Sequence, residues 1–129
     1  MLKQVKVIIA GSRDFDDYEM MVGRMLQVER ALHDNKQEMA EVVSGHAKGA
    51  DKLGETWAWF NNIPVKLFPA DWQHKGKAAG IVRNRQMAEY ADVLVLFWDG
   101  KSRGSLNMLQ TARELGLDTH VIRYKEKES

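Results

Sequence analysis

The sequence predicts a three-layer α/β sandwich built on a five-stranded, mostly parallel sheet. Two observations carry this expectation. Five short runs rich in aliphatic and β-branched residues alternate along the chain with four patterns of helical period. None of the five runs alternates strictly between apolar and polar residues, and Val93–Trp98 is apolar throughout. A strand without alternation is covered on both faces, as in a parallel sheet flanked by helices. Right-handed helical crossovers between such strands close the sandwich.

The strand runs are Val5–Ala10, Glu41–Ser44, Val65–Pro69, Val93–Trp98 and His120–Tyr124. The first helical pattern places Tyr18, Met21, Val22, Met25, Leu26 and Leu32 on one stripe, with Asp16 or Asp17 as N-cap. The second runs from about Ala50 to Asn61, turns Ala50, Leu53, Trp57 and Phe60 inward, and stops before Pro64. A third covers about Ala79 to Ala91. A fourth follows Ser105, with Met108, Leu109, Ala112 and Leu115 inward and Gly116 ending it. No linker, repeat or low-complexity segment intervenes, so residues 1–124 read as one domain and 125–129 as a charged, fraying tail.

Composition excludes several function classes. The chain has 129 residues, 44% of them hydrophobic, enough for one ordinary core. Without cysteine it has no disulfide, thiolate metal site or cysteine nucleophile. A formal charge of +1 removes the global basic excess of a protein that coats nucleic acid, while leaving room for a local patch. No run approaches the ~20 apolar residues of a membrane span, and the opening Met1–Lys6 leads into too short an apolar stretch for a signal peptide. A cytoplasmic protein is the expectation.

In an open parallel sheet, ligands bind beyond the carboxyl ends of the strands. The segments there are Gly11–Phe15, Ser44–Asp51, Asp71–Gly80 leading into Arg83-Asn84-Arg85, and Trp98–Ser105, which together hold seven of the ten glycines. Glycine and hydroxyl residues before a helix suit phosphate. Glycine lets the backbone approach closely, and the helix start offers unpaired N–H donors and partial positive charge. Arg13 and Arg103 can add bidentate bonds to phosphate or carboxylate. None of these loops is a GxxxxGK[ST] phosphate loop or a GxGxxG dinucleotide fingerprint. Each, taken singly, is also explained as a tight turn.

Individual residues carry competing readings. Asn84 falls on the inward face of the third helix, to pin a neighbouring loop or to touch a ligand. Asp51 can serve the helix dipole, hold Arg13 or hold loop backbone. Asp99 and Asp14 are the carboxylates nearest the inferred cleft, as general bases or partners of ribose hydroxyls. Trp98 ends a buried strand and can also stack a base. His46 and His74 lack a second ligand at metal spacing, so neither a metal nor a cofactor is expected. Trp57 reads as core, Trp59 as a partner surface, and Met20 and Met39 as core filler or surface anchors.

Four ordered pieces resemble the YspA-related branch of the SLOG superfamily, named for the Smf/DprA and LOG proteins. They are Gly11-Ser12-Arg13-Asp14-Phe15; Ser44-Gly45 with Lys48-Gly49-Ala50-Asp51; Gly80 with Arg83-Asn84-Arg85-Gln86-Met87; and Trp98-Asp99-Gly100 with Ser102-Arg103-Gly104. The resemblance implies a Rossmann-like fold binding nucleotides or nucleotide-derived ligands, frequently as homodimers. LOG enzymes cleave the N-glycosidic bond of nucleoside monophosphates with an Arg and a Glu near a PGGxGTxxE motif. The corresponding Asp99–Met108 lacks the double glycine and the acidic residue, so that Glu has no counterpart here.

The leading expectation is therefore a binding module or sensor for a small phosphorylated nucleotide of ADP-ribose-like kind. Its binding set is Gly11, Ser12, Arg13, Phe15, Ser44, Gly45, Lys48, Gly49, Asp51, Arg83, Asn84, Trp98, Asp99, Gly100, Ser102, Arg103, Gly104 and Ser105. The alternative is an N-glycosidase or nucleotide hydrolase with Asp99, then Asp14, activating water. A third reading, not favoured, is single-stranded nucleic-acid binding through Lys75, Lys77, Arg83 and Arg85.

Overall fold

The computed structural model describes residues 1–125, so the predicted tail lies outside the described residues except for Lys125. Strands β1 (Lys3–Gly11), β2 (Gln37–Ser44), β3 (Val65–Leu67), β4 (Val93–Trp98) and β5 (Asp118–Arg123) form one sheet in the order β3-β2-β1-β4-β5. All its pairings are parallel. Helices α1 (Tyr18–Asp34) and α2 (Ala50–Phe60) lie on one face, α4 (Ala79–Tyr90) and α5 (Arg103–Glu114) on the other. A short α3 (Trp72–Lys75) and a 3₁₀ turn (Gly76–Ala78) precede α4.

The apolar strands bury both faces as expected. Val5, Val7 and Ile9 pack with Met21, Met25, Val28 and Leu32 of α1 and with Trp57 of α2. Ile8, Ala10, Leu94 and Leu96 pack with Met87 and Ala88 of α4 and Met108 and Leu109 of α5. Met39 is buried and Met20 packs against the first of these clusters, the core-filler role.

Several boundaries and faces differ from expectation for identifiable reasons. β2 begins at Gln37, because polar Gln37 and Glu38 still pair with Lys3 and Gln4 at the sheet's end. β5 begins at Asp118, which pairs with Val93. β3 ends at Leu67: Phe68 N–H donates to the Ser44 carbonyl at 2.8 Å, and Pro69 has no N–H with which to continue. Helix α5 starts two residues before Ser105, with the Ser102 hydroxyl accepting from Ser105 N–H. Val22 and Leu26, read as inward, are exposed, since they flank the seam of Met21, Met25, Val28 and Leu32. Phe60, Ile81 and Leu115 are exposed as well. Phe60 stands in the last turn of α2, beside a β3 of only three residues, and meets exposed Trp59 edge to face at 5.0 Å. No helix among the described residues is long and apolar enough to cross a membrane.

Candidate functional site

The connections reverse direction between β1 and β4, where Gly11 sits opposite Phe97. A crevice forms at such a reversal because the two following loops diverge to opposite faces. Here it is a cleft of about 560 Å³, bordered by the loops after β1 and β4, the starts of α4 and α5, and part of the loop before α2.

The loops are locked together by backbone. Ser12 is buried; its N–H donates to the Phe97 carbonyl at 2.9 Å, and its own carbonyl accepts from Phe15 N–H at 3.2 Å and Ala50 N–H at 3.3 Å. Its hydroxyl accepts from Asp99 N–H at 3.1 Å. One serine thus ties the β1 loop to the β4 loop and to the first turn of α2. Glycine is required where these chains cross. A Cβ on Gly49 would lie 2.5 Å from both the Ser12 and Arg13 carbonyl oxygens, at φ +88°. A Cβ on Gly11 would lie 2.0 Å from the Phe97 carbonyl oxygen.

The loop before α2 is held from both ends. Asp51, buried, accepts from Ala47 N–H at 3.2 Å, so of its expected roles it takes that of holding loop backbone. Burial pushes its carboxyl up to about 6, against the opposing pull of the Ala47 N–H and the Arg83 guanidinium. Glu55 accepts from the Ser44 hydroxyl at 2.7 Å and lies 2.9 Å from His46 Nδ1, fixing His46 at a positive φ of 61°. Gly45 separates Asp51 from Arg83: a Cβ there would come within 3.0 Å of both side chains. Arg83 donates to the Gly45 carbonyl at 2.6 Å and to Asn84 Oδ1 at 3.0 Å. Asn84, also buried, donates to the Gly104 carbonyl at 3.2 Å and to Asn107 Oδ1 at 2.9 Å, pinning the start of α5 to α4.

The two candidate general bases are occupied by structural partners. Asp99 Oδ1 accepts from Lys101 N–H at 2.8 Å and Ser102 N–H at 2.9 Å, which holds its pKa below the usual carboxylate value. Asp14 pairs with Lys125 and accepts from the Tyr124 hydroxyl at 2.5 Å, with the same direction of shift, Lys125 being the larger cause. Phe15 is a core residue, stacked on Phe97 with ring centroids 4.8 Å apart. Trp98 donates to the Ser102 carbonyl at 3.1 Å and lies under the Arg123 guanidinium, so it braces the β4 loop. Gly100, at φ +84°, leaves the room that Arg123 occupies.

Of the predicted site residues, the cleft lining brings together Gly11, Ser12, Arg13, Asp14, Asp51, Arg83, Asn84, Asp99, Ser102, Arg103, Gly104 and Ser105. Phe15, Ser44, Gly45, Lys48, Gly49, Trp98 and Gly100 stand outside the lining. Lining residues that sequence reasoning missed include Trp72, Ile81 and Asn107; Trp72 sits in Asp71–Gly80, which reads as a long polar segment. Of the four cations grouped for strand binding, Arg83 turns inward onto the Gly45 carbonyl and Arg85 pairs with Glu89 at 3.2 Å. Among the described residues, no three His, Asp or Glu side chains are grouped to hold a metal ion.

An open parallel sheet with its cleft at the β1/β4 reversal defines a Rossmann-like α/β protein. A family profile described as YspA, cpYpsA-related SLOG family matches residues 5–74, and the chain belongs to that family. It is also 34% identical over 129 residues to the Gene 61 protein of Mycobacterium phage D29, covering 95% of this chain and 98% of that protein.

Two outcomes are expected from this geometry. Gly49→Ala, forced against two backbone carbonyls, should lower unfolding free energy by at least about 2 kcal/mol in urea titration. Gly116→Ala, also at positive φ but with open space around it, should cost only about 1 kcal/mol. The second outcome concerns pH. The folded-state pKa of Asp51 lies above its unfolded value of 3.8, so the fold gains a proton as pH falls. The burial cost is full above about pH 6 and is relieved toward pH 4. Relative to Asp51→Asn, the wild type should therefore gain about 2 kcal/mol between pH 7 and pH 4. Parallel stability curves for the two proteins would contradict this.

Proposed function

We propose that the chain is a binding protein for a phosphorylated nucleotide or nucleotide-derived molecule, whose phosphate sits between Arg13 and the start of α5. The carrying observation is the electrostatics of that helix start. The first turn of α5 has no acidic side chain and carries Arg103 at its first position. A cation at the positive end of a helix is unfavourable by itself; an anion held there offsets both. The amides of Arg103 and Gly104 have no intrahelical acceptor at these positions. Neither Arg13 nor Arg103 forms an ion pair among the described residues.

Gly104 supports the same reading. It has no positive φ, and a Cβ on it would meet nothing within 4 Å, so neither conformation nor packing requires glycine there. Its bareness leaves space in the cleft. The lining carries Arg13, Lys77, Arg83 and Arg103 against Asp14, Asp51 and Asp99, and Lys125 already neutralises Asp14. Membership of the SLOG family is consistent with nucleotide-related binding. Binding is favoured over hydrolysis because Asp99 holds the β4 loop and Asp14 is engaged by Lys125 and the Tyr124 hydroxyl.

A thermal-shift screen against nucleotides and nucleotide sugars tests this. A ligand present at 100 times its Kd should add about 2.7 kcal/mol, visible as a rise of several degrees in Tm. Arg13→Ala and Gly104→Val should each abolish the shift while leaving the unliganded Tm within about two degrees of wild type. No stabilisation by any compound in the screen would overturn the proposal.

A further inference from the structure

The cleft has a second end. Trp72, on α3, and Ile81, in the first turn of α4, are both large apolar side chains, 52% and 58% exposed, and both line it. The indole lies across the start of α4, where a Cβ on Gly80 would be 3.5 Å from its edge. Every residue from Asp71 to Ala78 is exposed, so Trp72 is not placed there to fill the core. Its carrier is nevertheless shaped: Asp71 caps α3 by accepting from His74 N–H at 3.2 Å and also meets the His74 ring at 3.0 Å. Exposed apolar surface gathered inside a concave site is characteristic of ligand recognition rather than of an ordinary solvated wall.

We infer that Trp72 and Ile81 form a base subsite, in which the planar base of a nucleotide stacks on the Trp72 indole while its phosphate reaches toward Arg13 and Arg103. This rests on the function proposed above and narrows the ligand to a nucleotide with its base in place, as against a bare sugar phosphate. The cleft's volume of about 560 Å³ exceeds what a phosphate group needs and falls within the ~300–1,000 Å³ typical of small-molecule sites. An indole face stacks any base, so Trp72 supplies affinity for an aromatic ring without choosing among bases. Trp72, not Trp98, is the tryptophan that lines the cleft.

Isothermal titration of the wild type, Trp72→Ala, Trp72→Phe and Arg13→Ala separates the two ideas. The titrants are the four common nucleoside 5′-monophosphates and ribose 5-phosphate. The wild type should bind at least one nucleotide tenfold or more tighter than ribose 5-phosphate. Trp72→Ala should bring that nucleotide down to the ribose 5-phosphate level and leave ribose 5-phosphate unchanged, whereas Trp72→Phe should keep most of the difference. Arg13→Ala should weaken both ligands together. Equal wild-type affinity for nucleotides and ribose 5-phosphate overturns the base subsite, as does a Trp72→Ala variant that binds like wild type. Either result leaves the phosphate reading standing if Arg13→Ala still weakens both ligands together. Failure of every titrant to bind the wild type overturns both.

Discussion

The close crossing of Ser12 and Gly49 is the constraint on which the site depends. Ser12 bonds through its backbone to the β4 end and to the first turn of α2, and through its hydroxyl to Asp99 N–H. The crossing is possible only because Gly49 brings no side chain against the Ser12 and Arg13 carbonyls. Three loops that leave the sheet from different strands are thereby held as one rigid rim. Arg13, displayed from that rim, inherits its position from bonds it does not itself make. Preorganisation of this kind lowers the ordering cost of binding, since the backbone is already fixed before a ligand arrives.

The polar residues around the cleft divide by task. Asp51, Arg83, Asn84 and Asp99 bond to loop backbone, and Glu55 bonds to the Ser44 hydroxyl and the His46 ring; together they hold the rim and the helix starts in place. Arg13, Lys77 and Arg103 are left to face the cleft. Near-neutral overall charge conceals this arrangement, because most carboxylates near the site are engaged with N–H groups or with Lys125. Burial of the Asp51 carboxyl at a pKa of about 6 reduces the negative charge beside the cleft further as pH falls. A +1 chain can in this way present a locally cationic pocket.

Much of the architecture was legible in the sequence. Val93–Trp98 had no polar face, so helices had to cover both sides of its sheet, and this predicted layering without any contact information. The glycine-bearing loops fell on one edge because a parallel sheet puts all its strand ends there. Less legible were features set by neighbours. Gln37 and Glu38 belong to β2 because Lys3 and Gln4 lie beside them. Val22 and Leu26 are apolar yet 43% and 49% exposed. Phe15 follows the Gly-Ser-Arg-Asp run and read as a binding residue, but its ring stacks on Phe97 in the core. Trp72 went unnoticed because its neighbours Gln73, His74 and Lys75 are polar, and no periodicity marks a single turn of helix.

The sequence by itself determined the fold class, the number and order of the long elements, and the edge of the sheet where chemistry is concentrated. These follow from local rules: residue periodicity, caps, and glycine where the backbone must bend. Only the tertiary structure decided which residues on that edge face the cleft and which brace it. Asp99, in the β4 loop, and Arg103, at the first position of α5, are four residues apart and both border the cleft, yet only Asp99 accepts loop backbone amides. That choice depends on which hydrogen-bond partners lie within about 3 Å, and chains such as β1 and β4, distant in sequence, meet only after folding.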